Sequence, residues 1–458
     1  MFKGIIFARG MTIFAALLAA APCWAAVSAQ EAARLGADLT PMGAEKAANA
    51  DGTIPEWTGG IKSAADAGFP SFKSGEHHPD PFASDSALFT ITPANMGQYA
   101  EKLTEGHKKL LQTYPDYKLI VYPTHRSAAF PQRIYAATKQ IATTANLAPG
   151  GNGVTGAAEG IPFPIPKQGV EIFWNHVLRF RAEALQRTYG QAPVTAGGSY
   201  TLVKLKEDTL IQYSLPGMTQ AGLNNIIAYF IQETIQPARL AGEILLVQET
   251  LDQSRDNRKA WIYNPGQRRV RRAPNVAFDN PGTNSDDLRT SDQLDMYNGS
   301  PERYDWKLVG KREIYVPYNS YRLGSASIKY ADILKKSHIN QDLPRYELHR
   351  YWVVEATLKP GTNHTFKTRR FYVDEDAWNI EAVDDYDNKD QLYKFQEGHL
   401  ITAPNIQAAS TVPEIIYDFF SGRYFITAAF NEDKPVDLTV SWPDDYFTAA
   451  SVQKLTTK

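Results

Sequence analysis

The sequence predicts a mainly β protein with helices (α+β), an antiparallel barrel or sandwich preceded by an irregular N-terminal extension. Three observations predict it. Aromatics make up 12% of the 458 residues, with 24 Tyr, 21 Phe and 8 Trp, and such side chains fit a pleated, half-buried surface. From Ser199 onward apolar residues recur with a period of two. Short polar turns such as Asp374-Glu375-Asp376 and Asp387-Asn388-Lys389 separate the runs. About ten antiparallel strands in one open sheet would curl toward a barrel or split into a sandwich.

The elements follow in chain order. Lys3 and Arg9 precede the short apolar run Met11–Ala20, and small residues end at Ala25 and Ala29. This reads as a secretory signal, residues 1–29, cut after Ala25 or Ala29. The only cysteine, Cys23, leaves with it, so no disulfide, thiol nucleophile or thiolate metal site is expected. No later apolar run is long enough to span a bilayer. The expected compartment is the periplasm or the outside, with possible outer-membrane association.

Residues 30–198 form an irregular and helical region expected to pack on or cap the barrel. Asp51–Gly60 reads as turns around Trp57, and Pro79 and Pro81 break the next stretch. Gly97–Tyr114 and Arg133–Ala145 have helical spacing, and Lys118–Tyr122 reads as a short strand. A Gly- and Pro-rich arm over Ala148–Pro166 leads into the strongest helical pattern, Val170–Tyr189. That helix is the lid candidate, with Gly151, Gly153 and Gly160 as hinges.

Residues 199–458 form the barrel-like region. Its expected strands are Tyr200–Leu205, Leu210–Tyr213, Asn225–Thr234, Arg239–Thr250, Ala260–Tyr263, Trp306–Val316, Tyr346–Leu358, Thr365–Val373, Trp378–Tyr386, Gln391–Ile401, Ile415–Phe420 and Tyr424–Phe430. Arg268–Glu302 is polar and Asp-rich, hence a long loop.

Composition excludes several function classes. Apolar residues at 43% and charged residues at 21% exclude disordered, collagenous and coiled-coil chains. A net charge of −2 supplies no basic field for nucleic acid. The nine histidines lack zinc-ligand spacing and read as surface residues. Asp384–Asp390 resembles a calcium loop, but Lys389 stands where a ligand oxygen is needed, so it reads as a solvated hairpin tip. The glycine-rich run near Gly150 lacks a phosphate-loop ending, and no Gly-x-Ser-x-Gly elbow exists. No catalytic residue, metal or cofactor is expected.

Two constellations remain. Arg268, Arg269, Arg271 and Arg272 could meet anionic headgroups or an acidic partner; alternatively they form an internal ladder with Asp252, Asp256 or Asp279. Trp261, Tyr263, Trp352, Val354, Phe371 and Val373 sit at apolar strand centres. They either pack a core or line an aromatic cavity that buries an acyl chain.

Several segments together resemble a bacterial family known as domain of unknown function 1329. They are Asp51–Gly60, Val121–Arg126, Gly160–Pro166, Trp174–Arg179, His349–Ala356 and Tyr372–Trp378, while Ala260–Arg272 resembles a strand-turn-strand of LolA/LolB-type lipoprotein-sorting proteins. The resemblance implies a LolA/LolB-type fold, an incomplete, strongly curved antiparallel β-barrel with a helical lid over its mouth, and non-catalytic carriage of a hydrophobic molecule. It also implies an outer-membrane protein and a resistance-nodulation-division (RND) exporter as possible partners. The chain is about twice the size of the small lipoprotein carriers, and their charged lid contact has no counterpart here residue by residue.

The reading is a periplasmic carrier or chaperone for a lipid, a lipoprotein acyl chain or another apolar compound. The alternative is a non-enzymatic accessory subunit of an outer-membrane or RND-type export assembly, acting through its surface and touching the membrane peripherally. A third class, a secreted hydrolase, would require a cleft with a Ser or Asp beside a histidine.

Overall fold

The computed structural model describes residues 26–273 and 276–455. The signal-segment residues before Ala26 lie outside the described residues.

Alternating side chains from distant parts of the chain build one sheet. Its strands are β1 (Phe89–Ile91), β2 (Leu119–Val121), β5 (Ala184–Val194), β6 (Val203–Leu210), β7 (Ile226–Gln236), β8 (Ile244–Thr250), β9 (Lys259–Asn264), β10 (Arg269–Arg272), β11 (Tyr304–Pro317), β12 (Tyr346–Leu358), β13 (Thr368–Asp374), β14 (Ile380–Tyr386), β15 (Leu392–Ala403), β16 (Ala408–Asp418) and β17 (Arg423–Ala429). Two short strands, β3 (Asn146–Leu147) and β4 (Val154–Thr155), pair apart from it.

The sheet has 15 strands and does not close. Its order runs β1-β2-β12-β13-β14-β15-β16-β17-β5-β6-β7-β8-β9-β10, and β11 pairs with the other edge of β12. Pairing is antiparallel throughout except at Tyr346 beside Val121. Bulges interrupt the ladder in β11, β13–β14 and β15–β16, and each extra residue bends its strand and tightens the local twist.

The mainly β expectation holds, with local departures: beyond Leu210 the expected strand Leu210–Tyr213 becomes a single 3-10 turn, and Arg269–Arg272 within the expected loop pairs as β10. Helical spacing over 170–189 is realised only over Gly169–Leu178. Arg179 turns extended, and residues 184–194 become β5, hydrogen-bonded between β17 and β6. Long-range pairing on both edges overrides the local periodicity. The sheet therefore takes strands from before residue 199 as well as after it.

Both faces are covered. One carries a cluster in which helix Gly169–Leu178 meets β11, β12, β13 and β14 through Phe173, Trp174, Trp306, Phe371 and Val383. The other carries a second cluster, where helix Glu105–Thr113, β1 and β2 meet Tyr351, Tyr372, Phe395 and Tyr417. At the β7–β9 end, Trp442, Phe447 and Val452 of the C-terminal segment cover Leu246 and Tyr263. The N-terminal region is fastened to the sheet by polar contacts, including Trp378 Nε1 donating to Met42 O at 3.0 Å.

Candidate functional site

The strand period of two decides what faces the hollow. Leu185 and Arg187 on β5, Thr209 on β6, Phe230 and Gln232 on β7, Leu245 and Val247 on β8, and Ile262 on β9 all point to one side. The long loop after β10 crosses above them and adds Val276, Pro281 and Leu294. Between sheet and loop lies a cavity of about 210 Å³. Its sheet wall mixes an apolar set, Leu185, Phe230, Leu245, Val247 and Ile262, with the polar Arg187, Thr209 and Gln232.

Five arginines border this cavity: Arg179, Arg181, Arg187, Arg258 and Arg289. Four have acids. Arg179 donates to Asp295 Oδ1 at 2.6 Å, and Arg181 donates to the other oxygen. Arg187 donates to Glu207 at 2.9 Å and Arg258 to Glu249 at 2.7 Å. Burial opposes the Asp295 charge, but Arg179 and Arg181 hold its carboxyl well below the usual range. The two Asp295 contacts and the bond from Arg258 to Val276 O at 3.0 Å pin the loop onto the sheet. Arg289 is only 4% exposed and takes part in no ion pair among the described residues. Burial pushes its pKa down.

Helix Gly169–Leu178 is a plug. Nine of its ten residues are buried. Trp174 Nε1 donates to Gly151 O at 2.9 Å, and Asn175 exchanges two bonds with the Phe163 backbone. His176 accepts from Ile380 N at 3.1 Å on Nδ1 and lies 2.9 Å from Asp295 O on Nε2. The expected hinge at Gly160 is a close approach instead: a Cβ there would meet Thr138 N at 2.4 Å.

The six aromatic and aliphatic residues expected at a cavity fall in two places, and none borders the one described above. Trp261 and Tyr263 lie one residue either side of Ile262 and so face the opposite side, under the C-terminal segment. Val354, Phe371 and Val373 pack in the cluster around the helix plug, with Trp352 at its margin. Phe371 stacks on Trp306 at 5.5 Å, where Phe173 stacks from the other side at 5.0 Å. Sequence reading missed Arg289, Asp295 and Glu414. They come from the loop and β16, whose proximity to β5–β9 no local spacing announces.

Arg268, Arg269, Arg271 and Arg272 stand at the open edge of the sheet, on and just before β10. Among the described residues none forms an ion pair; of the expected acids, Asp279 pairs with Arg303 and Asp252 accepts from Ser254. Arg272 stacks over Trp261 at 4.9 Å.

Six of the nine histidines are not surface residues, while His77, His78 and His125 are partly exposed. His107, His176, His338, His349, His364 and His399 are buried, because carboxylates and backbone groups of a buried polar network receive most of them: Glu397 lies 2.8 Å from His107, Glu347 2.9 Å from His349 and Asp292 3.0 Å from His364. The expected hairpin tip is solvated only at Asp387–Asp390; Asp384 and Asp385 are buried in β14. Among the described residues His349, Asp374 and Asp376 bring possible ligand atoms within 4.8 Å of one another. Arg126 occupies both oxygens of Asp376 at 2.9 and 2.7 Å. No histidine borders the cavity. A hydroxyl–imidazole–carboxylate row among the described residues, Thr104–His107–Glu397, is fully buried.

The family model described as protein of unknown function (DUF1329) matches residues 90–453. An uncharacterized protein of Pseudomonas aeruginosa is 48% identical over 444 residues, covering 96% of this chain and 97% of the relative. Among solved structures, a DUF1329 family protein from Desulfovibrio piger is similar with a TM-score of 0.40 and 16% identity, over 59% of this chain and 92% of that one. A putative outer membrane lipoprotein-sorting protein domain from Vibrio parahaemolyticus is similar with a TM-score of 0.43 and 11% identity, over 62% and 98%. A LolA superfamily protein from Nitrosomonas europaea gives 0.38 and 14%, over 62% and 98%.

Proposed function

The chain belongs to the DUF1329 family, and on that premise we propose that it is a periplasmic, non-catalytic carrier that shelters the apolar part of a lipid-like molecule. The carrying observation is the hollow between β5–β9 and the loop above it, floored by Leu185, Phe230, Leu245, Val247 and Ile262. Each methylene buried there contributes about 0.8 kcal/mol. The cationic leader and apolar run at the N-terminus support export.

At about 210 Å³ the hollow is below the roughly 300–1,000 Å³ of pockets that take drug-sized ligands. Loading a long chain therefore requires the covering loop to lift. The moving part in this reading is that loop, latched by Asp295 and Arg258, and not helix Gly169–Leu178, whose burial fixes it in the core.

A titration with the neutral fluorophore N-phenyl-1-naphthylamine tests the reading. Wild-type protein should enhance its fluorescence saturably, and Ala228→Phe, which fills the hollow, should abolish the enhancement while the far-UV spectrum stays unchanged. Equal enhancement by both proteins would place the fluorophore elsewhere and end this reading.

A second reading rests on the arginines of the β10 edge, which are exposed and lack acids. They suit an anionic membrane surface or an acidic subunit of an export assembly at the outer membrane, including an RND-type exporter. Arg269→Glu with Arg271→Glu should then abolish co-purification with the membrane fraction and leave fluorophore binding intact. Unchanged co-purification would count against it.

A further inference from the structure

We infer that the molecule carried in this hollow is an anionic amphiphile, one apolar chain ending in a carboxylate or phosphate, and that Arg289 receives its charged end; this rests on the carrier reading above. The argument starts from an unpaired charge. Arg289 borders the cavity and is 4% exposed. Its Nε and Nη1 are buried without a hydrogen-bond partner. The ring of Phe425 lies 5.3 Å from its guanidinium carbon. A buried, uncompensated charge is destabilising by several kcal/mol, so folded proteins seldom keep one without a use.

The surroundings do not supply the missing anion. Glu207, Glu249 and Asp295 are already bonded to other arginines. Glu414 is the remaining acid near Arg289, and it forms no ion pair within 4.0 Å of it. Burial, and then the Asp295 charge, push the Glu414 carboxyl up, against the pull of Arg289 and Arg187. Arg187 and Arg181 also keep a buried Nε without an acceptor.

The backbone makes room for this guanidinium. Loop residues Gly282 and Arg289 are joined by a bond from Gly282 N to Arg289 O at 2.8 Å. A Cβ on Gly282 would lie 2.8 Å from Arg289 Nε. The forked donors match a carboxylate or phosphate in two bonds at once, while the apolar side chains take the chain. The same cavity thus offers a cation and apolar side chains, Leu185, Phe230, Leu245, Val247 and Ile262.

Displacement of N-phenyl-1-naphthylamine from the full mature chain tests this with four probes: oleate, oleoyl lysophosphatidate, oleyl alcohol and methyl oleate. Wild type should bind one or both anions at least tenfold more tightly than either neutral probe, and the preferred anion identifies the headgroup. Arg289→Met should lower the anion affinity about 10- to 100-fold and leave oleyl alcohol within twofold. Equal displacement by anionic and neutral probes in the wild type would overturn the inference while keeping the carrier reading, and that comparison needs no variant. Failure of the fluorophore itself to bind would instead overturn the carrier reading and this inference with it. An equal loss for all probes in Arg289→Met, with its fold intact, would assign Arg289 to structure and not to the headgroup.

Discussion

Arg126 and Asp376 form a two-pronged ion pair, 2.9 and 2.7 Å, across 250 residues of chain. Both side chains are almost fully buried. The remaining guanidinium donors reach Lys46 O, Pro55 O and Glu45 O. The irregular N-terminal region is thereby tied to the β13–β14 turn. Removing one partner leaves a buried charge, which costs about 3–5 kcal/mol. Asp376→Asn should therefore lower the urea midpoint in one transition, read by tryptophan fluorescence and far-UV dichroism together. Two separated transitions in the wild type would show that the N-terminal region folds on its own.

Val27 is 8% exposed, and its N–H donates to Ala142 O at 3.2 Å. Ser28 caps the short helix Ala29–Ala32, accepting from Glu31 N. Cleavage after Ala29 would delete both features, while cleavage after Ala25 keeps them. N-terminal sequencing of exported protein should read Ala26-Val27-Ser28. A start at Gln30 would contradict this.

Asp295 holds two arginines and so latches the loop over the hollow. Asp295→Asn leaves Arg179, 2% exposed at its side chain, without its acid. Hydrogen exchange should then quicken at least tenfold in residues 276–298 and stay unchanged in β14 and β15. Uniform quickening across the sheet would mean that Asp295 supports the whole fold and is not a latch.

Burial, then the nearby Arg179, press the His176 pKa down to about 3, against 6.5 in the unfolded chain. Arg181 adds to this, and Asp295 opposes it. The folded value is the lower, so the unfolded chain binds the proton first as pH falls. The neutral imidazole's contribution is complete above pH 6.5 and declines through lower pH at about 1.4 kcal/mol per unit. Between pH 6.5 and 5 the loss is about 2 kcal/mol. His176→Gln should lack that slope in urea titrations; parallel curves for both proteins would contradict it.

Much of the sheet was legible because its strands carry their own signal. Tyr346–Leu358 has the expected limits, and its Tyr, Trp and Val side chains suit a strand buried on both faces. β5 was hidden because residues 170–177 and 184–194 share apolar spacing that a helix also satisfies, and only the ladders to β6 and β17 decide between them. At the site, Trp261 drew the eye as the larger ring, yet strand parity gives the hollow to Ile262. Arg289 was illegible for a different reason. Its meaning lies in the absence of an acid beside it, and only the assembled fold defines that.

The most direct measurement is native mass spectrometry of the protein purified from the periplasm without detergent, beside Ala228→Phe prepared in the same way. The account predicts a wild-type peak carrying an extra mass in the range of an acidic lipid, released on collisional activation and missing from the filled variant. A bare mass for the wild type, or the same adduct on both proteins, would contradict it.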